Sequence, residues 1–337
     1  MHLTLTKPPG KSEEEMDKGK TAMQYRRLGN TGLKVSEISL GSWLTYGNGV
    51  GDDTAIKTID RAYELGINFF DTADVYNRGE AEKVVGVALG KYERSSYVLA
   101  TKVYFPMGDG PNDRGLSRKH IMESANASLK RLKQDYVDIY YCHRYDTEAP
   151  VEETLRAFDD LIRQGKILYA GISEWSAAQI QEAMGIADRN LLNRFVVNQP
   201  QYSMLNRKIE AEVIPVSQRN GIGQVVFSPL AQGLLTGKYK SLGDVPQDSR
   251  AASDKMNTFI KGLLNEATFE KVAKVAAIAK KLSIPMAQLA LAWVLRQPNV
   301  ASALIGASRP SQVEENVKAS GYVIAPEILA EIDDALK

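Results

Sequence analysis

The chain has 337 residues, 44% hydrophobic and 25% charged, and 42 Lys and Arg stand against 41 Asp and Glu for a formal net charge of +1. That balance leaves no basic footprint for nucleic acid or an anionic membrane, and no apolar run approaches the roughly 18 residues of a membrane span. The one cysteine, Cys142, excludes an intrachain disulfide and fits a reducing, cytoplasmic compartment.

Residues 1–22 are polar, include Ser12-Glu13-Glu14-Glu15, and lack the apolar core of a secretory signal. They read as an unstructured arm or an expression remnant, ahead of a single domain over residues 23–337. Two short alternating runs, Tyr25–Leu28 and Leu33–Val35, flank Asn30-Thr31-Gly32 and read as a β-hairpin. Ile38–Gly41 is the first core strand, and a helix from Asp53 stops at Gly66. Ile67-Asn68-Phe69-Phe70-Asp71 is an apolar strand that switches abruptly into acids and a tyrosine, through Thr72-Ala73-Asp74-Val75-Tyr76. The alternation then continues. Strands over 97–102, 137–143, 167–173, 195–199, 223–228 and 301–306 are interleaved with helices over 80–89, from Ser117 to Leu132, from Pro150 to Gly165, from Ser176 past Met184, over 209–219 with a bend at Pro215, 268–282, 286–296, 311–319 and 326–336.

Eight buried strands, each followed by helix, imply parallel βαβ units. In about 300 residues they fit a closed (β/α)8 TIM barrel, an α/β fold, better than an open doubly wound sheet. The open sheet would want Gly-x-Gly-x-x-Gly in its first strand-to-helix turn, and the sequence has none there. The N-terminal hairpin would plug the bottom of the barrel. Residues 104–116 and 231–265 exceed ordinary connections and follow strand C-terminal ends, so they read as covers over a ligand.

In such a barrel all eight C-terminal strand ends face one bowl. In chain order those ends carry Ser42 and Trp43; Asp71 with Tyr76; Lys102; His143; Ser173 and Glu174; Gln199; Ser228; and Gly306 with Ser308. A carboxylate, an ammonium and a phenol in one low-dielectric site shift one another's pKa values. Lys102 beside Tyr76 is expected to lower the phenol's pKa, and Asp71 to hold Lys102 charged. A tyrosine so placed can give a proton to a carbonyl oxygen, and His143 can orient that carbonyl. No protein nucleophile is needed if a cofactor brings hydride. Each residue alone has a plainer reading: Asp71 as a turn cap, Tyr76 as loop packing, Lys102 as a solvated terminus, His143 as structural. Their joint placement on successive strands outweighs those readings. Cys142 precedes His143 on a strand, so it points the other way and packs. Trp43, Tyr46 and Phe105 are candidate substrate contacts. No metal site is expected, because among three histidines only His143 is well placed.

The set Asp71, Tyr76, Lys102 and His143 resembles the tetrad of the aldo-keto reductases. The match extends through Gly66–Tyr76 with Gly79 and Glu82, Gly171-Ile172-Ser173-Glu174-Trp175-Ser176, Asn198-Gln199-Pro200-Gln201-Tyr202-Ser203, and Phe227 to Tyr239. The last segment is similar to the branch that holds bacterial stress reductases and voltage-gated potassium channel beta subunits. The resemblance covers about residues 24–337. It implies NADPH bound extended across the bowl, with Ser42 and Trp43 near it and Ser173 and Gln199 on the nicotinamide carboxamide. It further implies Phe227 against the nicotinamide ring, and Ser228, Leu230, Gly233, Lys238 and Arg250 along the pyrophosphate. Gly306, Ser308, Arg309, Gln312, Glu315 and Asn316 would hold the adenosine end, with Arg309 offering a fork to a 2′-phosphate. Gly306–Ser311 also turns a strand into a helix N-terminus, which suits a phosphate. Glu174 stands where many members carry Asn or Arg. His143 stands where channel beta subunits often carry Asn, which favours ordinary reductase activity. The expectation is an NADPH-dependent oxidoreductase that reduces a small-molecule aldehyde or ketone. A redox-sensing or channel-regulatory beta-type subunit with slow turnover is the alternative, and self-association into a homo-oligomer stays open.

Overall fold

Eight parallel strands close into a ring in the computed structural model, which describes residues 23–43, 46, 50–239 and 260–337. A two-stranded antiparallel hairpin comes first: β1 (Tyr25–Arg27) and β2 (Lys34–Ser36), paired from Tyr25 opposite Ser36 to Arg27 opposite Lys34. The barrel strands are β3 (Ile38–Gly41), β4 (Phe69–Asp71), β5 (Val98–Val103), β6 (Val137–Cys142), β7 (Ile167–Ile172), β8 (Phe195–Asn198), β9 (Gly223–Phe227) and β10 (Val300–Gly306). Around the ring they run in sequence order, and β10 pairs β3 to close it. The expected (β/α)8 barrel is the observed architecture.

The helices between the strands cover the outside. These are α1 (Asp52–Glu64), α2 (Glu80–Leu89), α3 (Arg118–Leu132), α4 (Val151–Arg163), α5 (Ala177–Arg189) and α6 (Val213–Asn220), followed by α7 (Glu266–Lys281), α8 (Met286–Leu295), α9 (Pro310–Asn316) and α10 (Pro326–Ala335). Their starts follow cap chemistry. Ser117 accepts from the His120 amide at 3.2 Å, and Ser176 and Gln179 form a reciprocal capping box. Asn265 caps α7, which starts at Glu266, two residues before the Thr268 start that sequence periodicity suggests. The expected bend at Pro215 is not present. Residues Lys208–Glu210 form a separate 3-10 turn, and Pro215 sits in the first turn of α6, where its missing N–H is not needed. Among the described residues no single helix is long and apolar enough to cross a membrane. α7 and α8 meet at 96°.

Alternation along the strands sorts side chains into two cores. Leu40, Phe70, Leu99, Tyr140, Cys142 and Ile172 face the helices. Phe69, Val98, Ala100, Ile139, Tyr141, Val197 and Val225 fill the barrel interior, and the hairpin's Leu28 and Val35 join that inner cluster. The hairpin therefore seals the bottom, as the sequence suggests. Arg26 Nη1 donates to the carbonyls of Leu295 at 2.7 Å and Val300 at 2.9 Å, and Asn68 joins β2 to the start of β4 through the Ser36 amide. At Gly29, φ is +55° and an added Cβ would lie 2.4 Å from the Gly221 carbonyl oxygen, so the hairpin turn needs glycine to reach the barrel rim.

α2 and α3 touch closely at Gly86, where a Cβ would meet the Leu132 carbonyl oxygen at 2.4 Å, whereas at Gly185 in α5 nothing lies within 4 Å. Gly86→Ala is expected to cost about 1–3 kcal/mol through overpacking, while Gly185→Ala should be neutral or stabilising by about 0.5–1 kcal/mol. Urea unfolding of the two variants measures the contrast; equal behaviour would remove the close-approach argument.

Candidate active site

The C-terminal ends of β4, β5 and β6 bring three side chains to one place because the strands are in register. Asp71 pairs with Ala100 across β4–β5, and Lys102 pairs with Tyr141 across β5–β6. Side chains two residues on from interior positions also point inward, so Asp71 follows Phe69, Lys102 follows Ala100, and His143 follows Tyr141. Tyr76 comes from the loop after β4. There Asn77, Arg78 and Gly79 all have positive φ, and these left-handed residues reverse the chain into α2.

Lys102 is fully buried, and its Nζ makes three contacts: an ion pair to Asp71 Oδ1, a hydrogen bond to the Thr72 carbonyl at 2.8 Å, and one with the Tyr76 hydroxyl at 3.2 Å. Gln199 reaches across from β8 and donates from Nε2 to Asp71 Oδ2 at 2.9 Å. Each Asp71 oxygen is thereby occupied. The His143 ring lies edge-on to Tyr76 at 5.6 Å and to Phe105 at 4.9 Å, and its Nδ1 is buried without a partner among the described residues. The four residues expected from the sequence therefore do converge.

Burial dominates the electrostatics. It holds His143 well below the ordinary imidazole range, and the neighbouring Lys102 and Arg144 cations push the same way, so the ring is neutral. Burial also raises Asp71 and lowers Lys102, while the contact between the two opposes both shifts. Tyr76 departs from the sequence expectation. Its pKa is raised well above 10, by burial first and then by the Asp71 carboxylate, with only Arg144 among the named charges pulling it down. The Lys102 charge is largely balanced by Asp71, which removes the expected lowering; the phenol stays protonated.

Behind this group lies a second polar layer that sequence reading passed over. Asp74 is fully buried, accepts from the Val75 amide at 2.6 Å through Oδ1, and leaves Oδ2 without a partner. Burial, reinforced by Glu82, pushes it up to about 8. Glu82 in turn accepts from Thr101 at 2.6 Å and Arg131 at 2.5 Å, which ties α2 and α3 to the back of the strand that carries Lys102. The signal in the sequence was a second acid three residues after Asp71.

One cavity of about 1100 Å³ opens over the barrel. Asp71, Tyr76 and His143 line it at one side, together with Trp43, Tyr46 and Phe105. Trp43 meets Phe227 edge-on at 6.3 Å. The cavity continues past Ser173, Gln199, Phe227, Ser228, Leu230, Gly233 and Lys238 to Gly306, Ser308, Arg309, Gln312, Glu315 and Asn316. Ser42 does not line it; its hydroxyl donates to Thr72 at 2.8 Å instead. Arg250 lies outside the described residues, as do 44–45, 47–49 and, from the second long cover, 240–259. The Ser173 hydroxyl donates to the Gln199 carbonyl at 2.7 Å, and Glu174, at φ +59°, accepts from the Gln201 amide at 2.6 Å. Arg144, Asn77 and Gln201 also line the cavity and were not singled out from the sequence. Arg144 directly follows His143, and a cation beside a strand-end imidazole was the available signal.

The shape and chemistry of this cavity fit a dinucleotide. Its lining extends from Tyr76 and His143 to the exposed Arg309. Between them Ser228, Ala231, Gln232 and Gly233 have positive φ, a kinked backbone of the kind that turns successive N–H groups toward an anion. At the far end Gln312 accepts from both the amide and the hydroxyl of Ser308, which braces the turn that presents Arg309.

The comparisons agree with this geometry. The model of the Aldo/keto reductase family matches residues 37–337. A protein of Arabidopsis thaliana described as a probable voltage-gated potassium channel subunit beta is 45% identical over 320 residues, covering 94% of this chain and 97% of the relative. One of Oryza sativa subsp. japonica with the same description is 44% identical over 316 residues, with 92% and 96% covered. A Schizosaccharomyces pombe protein described as a putative voltage-gated potassium channel subunit beta is 45% identical over 323 residues, with 93% of each chain covered. With the closed barrel and the match over nearly all its length, the chain belongs to the aldo/keto reductase family.

Proposed function

We propose that the chain reduces aldehydes and ketones to alcohols with NADPH. The observation that carries this reading is the Tyr76 hydroxyl, 3.2 Å from an ammonium that Asp71 anchors and beside a neutral His143, on the wall of the cavity. Bound at Phe227, Ser173 and the segments 228–238 and 306–316, NADPH would supply the hydride. The protein supplies everything else. The substrate oxygen sits between the Tyr76 hydroxyl and the His143 ring. His143, neutral and wedged between Tyr76 and Phe105, orients the carbonyl. Tyr76 gives its hydroxyl proton to the oxygen as negative charge develops there. Lys102 Nζ then stabilises the phenolate left behind, and Asp71, Thr72 and Gln199 keep that ammonium in place. Gln199 has one N–H committed to Asp71, so its grip on a carboxamide falls to its remaining donor and its oxygen. Trp43, Tyr46 and Phe105 shape an apolar mouth for the substrate.

The descriptions of the plant and yeast relatives support a second reading, a beta-type regulatory subunit that binds NADPH and turns over slowly. Turnover decides between the two. Wild-type protein should consume NADPH in the presence of 4-nitrobenzaldehyde, followed by absorbance. Tight NADPH binding with no turnover would favour the regulatory reading. Tyr76→Phe is expected to lower reduction by about 10²-fold or more while NADPH affinity stays near that of the wild type, since the phenol touches the reacting oxygen. Equal loss of both would make Tyr76 a binding or folding residue.

The pH dependence follows from the shifts. A phenol raised well above 10 and an imidazole held well below 6.5 both keep their neutral forms across the range between. Reduction should therefore be flat from about pH 6.5 to about pH 10, and oxidation of the alcohol, which needs the phenolate, should rise toward alkaline pH. An inflection near neutrality in kcat for reduction, lost in His143→Asn, would contradict the neutral imidazole. For cofactor choice, Arg309→Ala should weaken NADPH about tenfold or more while changing NADH little, because a charge-assisted fork to a 2′-phosphate is lost. Equal weakening, read by fluorescence titration, would refute that role.

A further inference from the structure

Arg144 is a cation that no acid among the described residues answers. It follows β6, immediately after His143, and lines the cavity beside Tyr76 and Phe105. Its Nη1 donates to the His143 carbonyl at 2.6 Å, and its Cζ lies 5.4 Å from the Phe105 ring centroid. Among the described residues no carboxylate lies within ion-pair distance of it. Several other arginines of this fold do hold a carboxylate, among them Arg26, Arg61, Arg94, Arg131 and Arg296. A guanidinium has five donors in a planar fork, and one is used on a backbone oxygen. The remainder sit half-buried against an aromatic ring, where a paired anion is worth more than on an open surface.

The cofactor does not account for this charge. In the closed ring β6 stands opposite β10, so Arg144 and the proposed phosphate ligand Arg309 lie on opposite sides of the bowl. Arg144 is on the substrate side, one aromatic ring away from His143: Phe105 touches both.

We propose that Arg144 selects carbonyl substrates that carry a carboxylate, held by its guanidinium while the aldehyde or ketone group faces Tyr76 and His143. This rests on the reductase reading and names its substrate class: oxo acids and formyl-aryl acids rather than neutral aldehydes. The anion would lie flat along Phe105 and Trp43, with its charged end at the rim. Exposed Glu174 on the same wall would disfavour a second negative group near it.

The test compares 4-formylbenzoate with its methyl ester, two probes of one skeleton that differ in the charge. In the wild type kcat/KM for the anion should exceed that for the ester by about tenfold or more, the scale of a charge-assisted hydrogen bond. Arg144→Gln should bring the ratio of the two close to one, through KM of the anion, and Arg144→Lys should restore part of it. The ratio is internal to each variant, so a general loss of folded protein does not mimic the result. A wild type without preference for the anion overturns the assignment while ester turnover leaves the reductase reading standing. A Gln variant in which both substrates fall together, with the ratio kept, would make Arg144 a positioning residue for the His143 backbone and also overturn it. Failure of the NADPH-loaded wild type to reduce either compound removes the reductase reading, and this assignment with it.

Discussion

The buried pair of Asp71 and Lys102 constrains everything else at this end of the barrel. Two charges taken out of water cost several kcal/mol each unless contact and hydrogen bonds compensate. Here every remaining demand is met locally: Thr72 and Tyr76 take the ammonium's other contacts, and Gln199 covers the second carboxylate oxygen. Gln199 comes from the strand diametrically opposite β4, so the pair can be satisfied only when the ring is closed and in register. The site is in this sense a product of the barrel's closure, and a one-residue slip of β5 would turn Lys102 toward the helices.

The outer layers serve the same pair from behind. Thr101, one residue before Lys102, points outward and donates to Glu82, which Arg131 of α3 also holds. The close approach of α2 and α3 at Gly86 lets these groups meet. Asp74 lies in this layer as well, a buried acid just before Tyr76 in the loop. Inside the barrel, by contrast, the bottom is filled mainly by apolar side chains, Phe69, Val98, Ile139 and the hairpin's Leu28 and Val35, with a Ser39–Ser302 hydrogen bond at 2.8 Å among the exceptions. Mainly apolar packing at one end and a polar network at the other divide stability from chemistry along each strand.

Much of this was legible in the residues. Apolar runs bounded by Gly, Ser and Pro located all eight barrel strands to within two residues at either end, because a strand buried on both faces must be apolar almost throughout. Ser117 and Ser176 marked helix starts because a short hydroxyl side chain meets an orphan amide there. The strand-end set Asp71, Lys102 and His143 stood out because charged groups rarely follow such runs. Other features depended on neighbours far away in the chain. The 3-10 turn at Lys208–Glu210 replaced a continuous helix, Ser42 turned to Thr72 rather than into the cavity, and Arg144 reached the cavity wall although its own segment marks it only by its place beside His143.

The sequence by itself determined the order of strands and helices, the polarity of each strand end, and hence the residue types available for chemistry. Those depend on local pattern, periodicity and capping, which a single chain carries in its own order. Only the tertiary structure decided the protonation of Tyr76. Reasoning from neighbours in sequence weighed the Lys102 charge against the phenol; the folded site adds desolvation and a carboxylate that balances that charge, and those two win. Burial and the distance between groups from different strands are properties of the closed barrel, and no segment of the chain holds them alone.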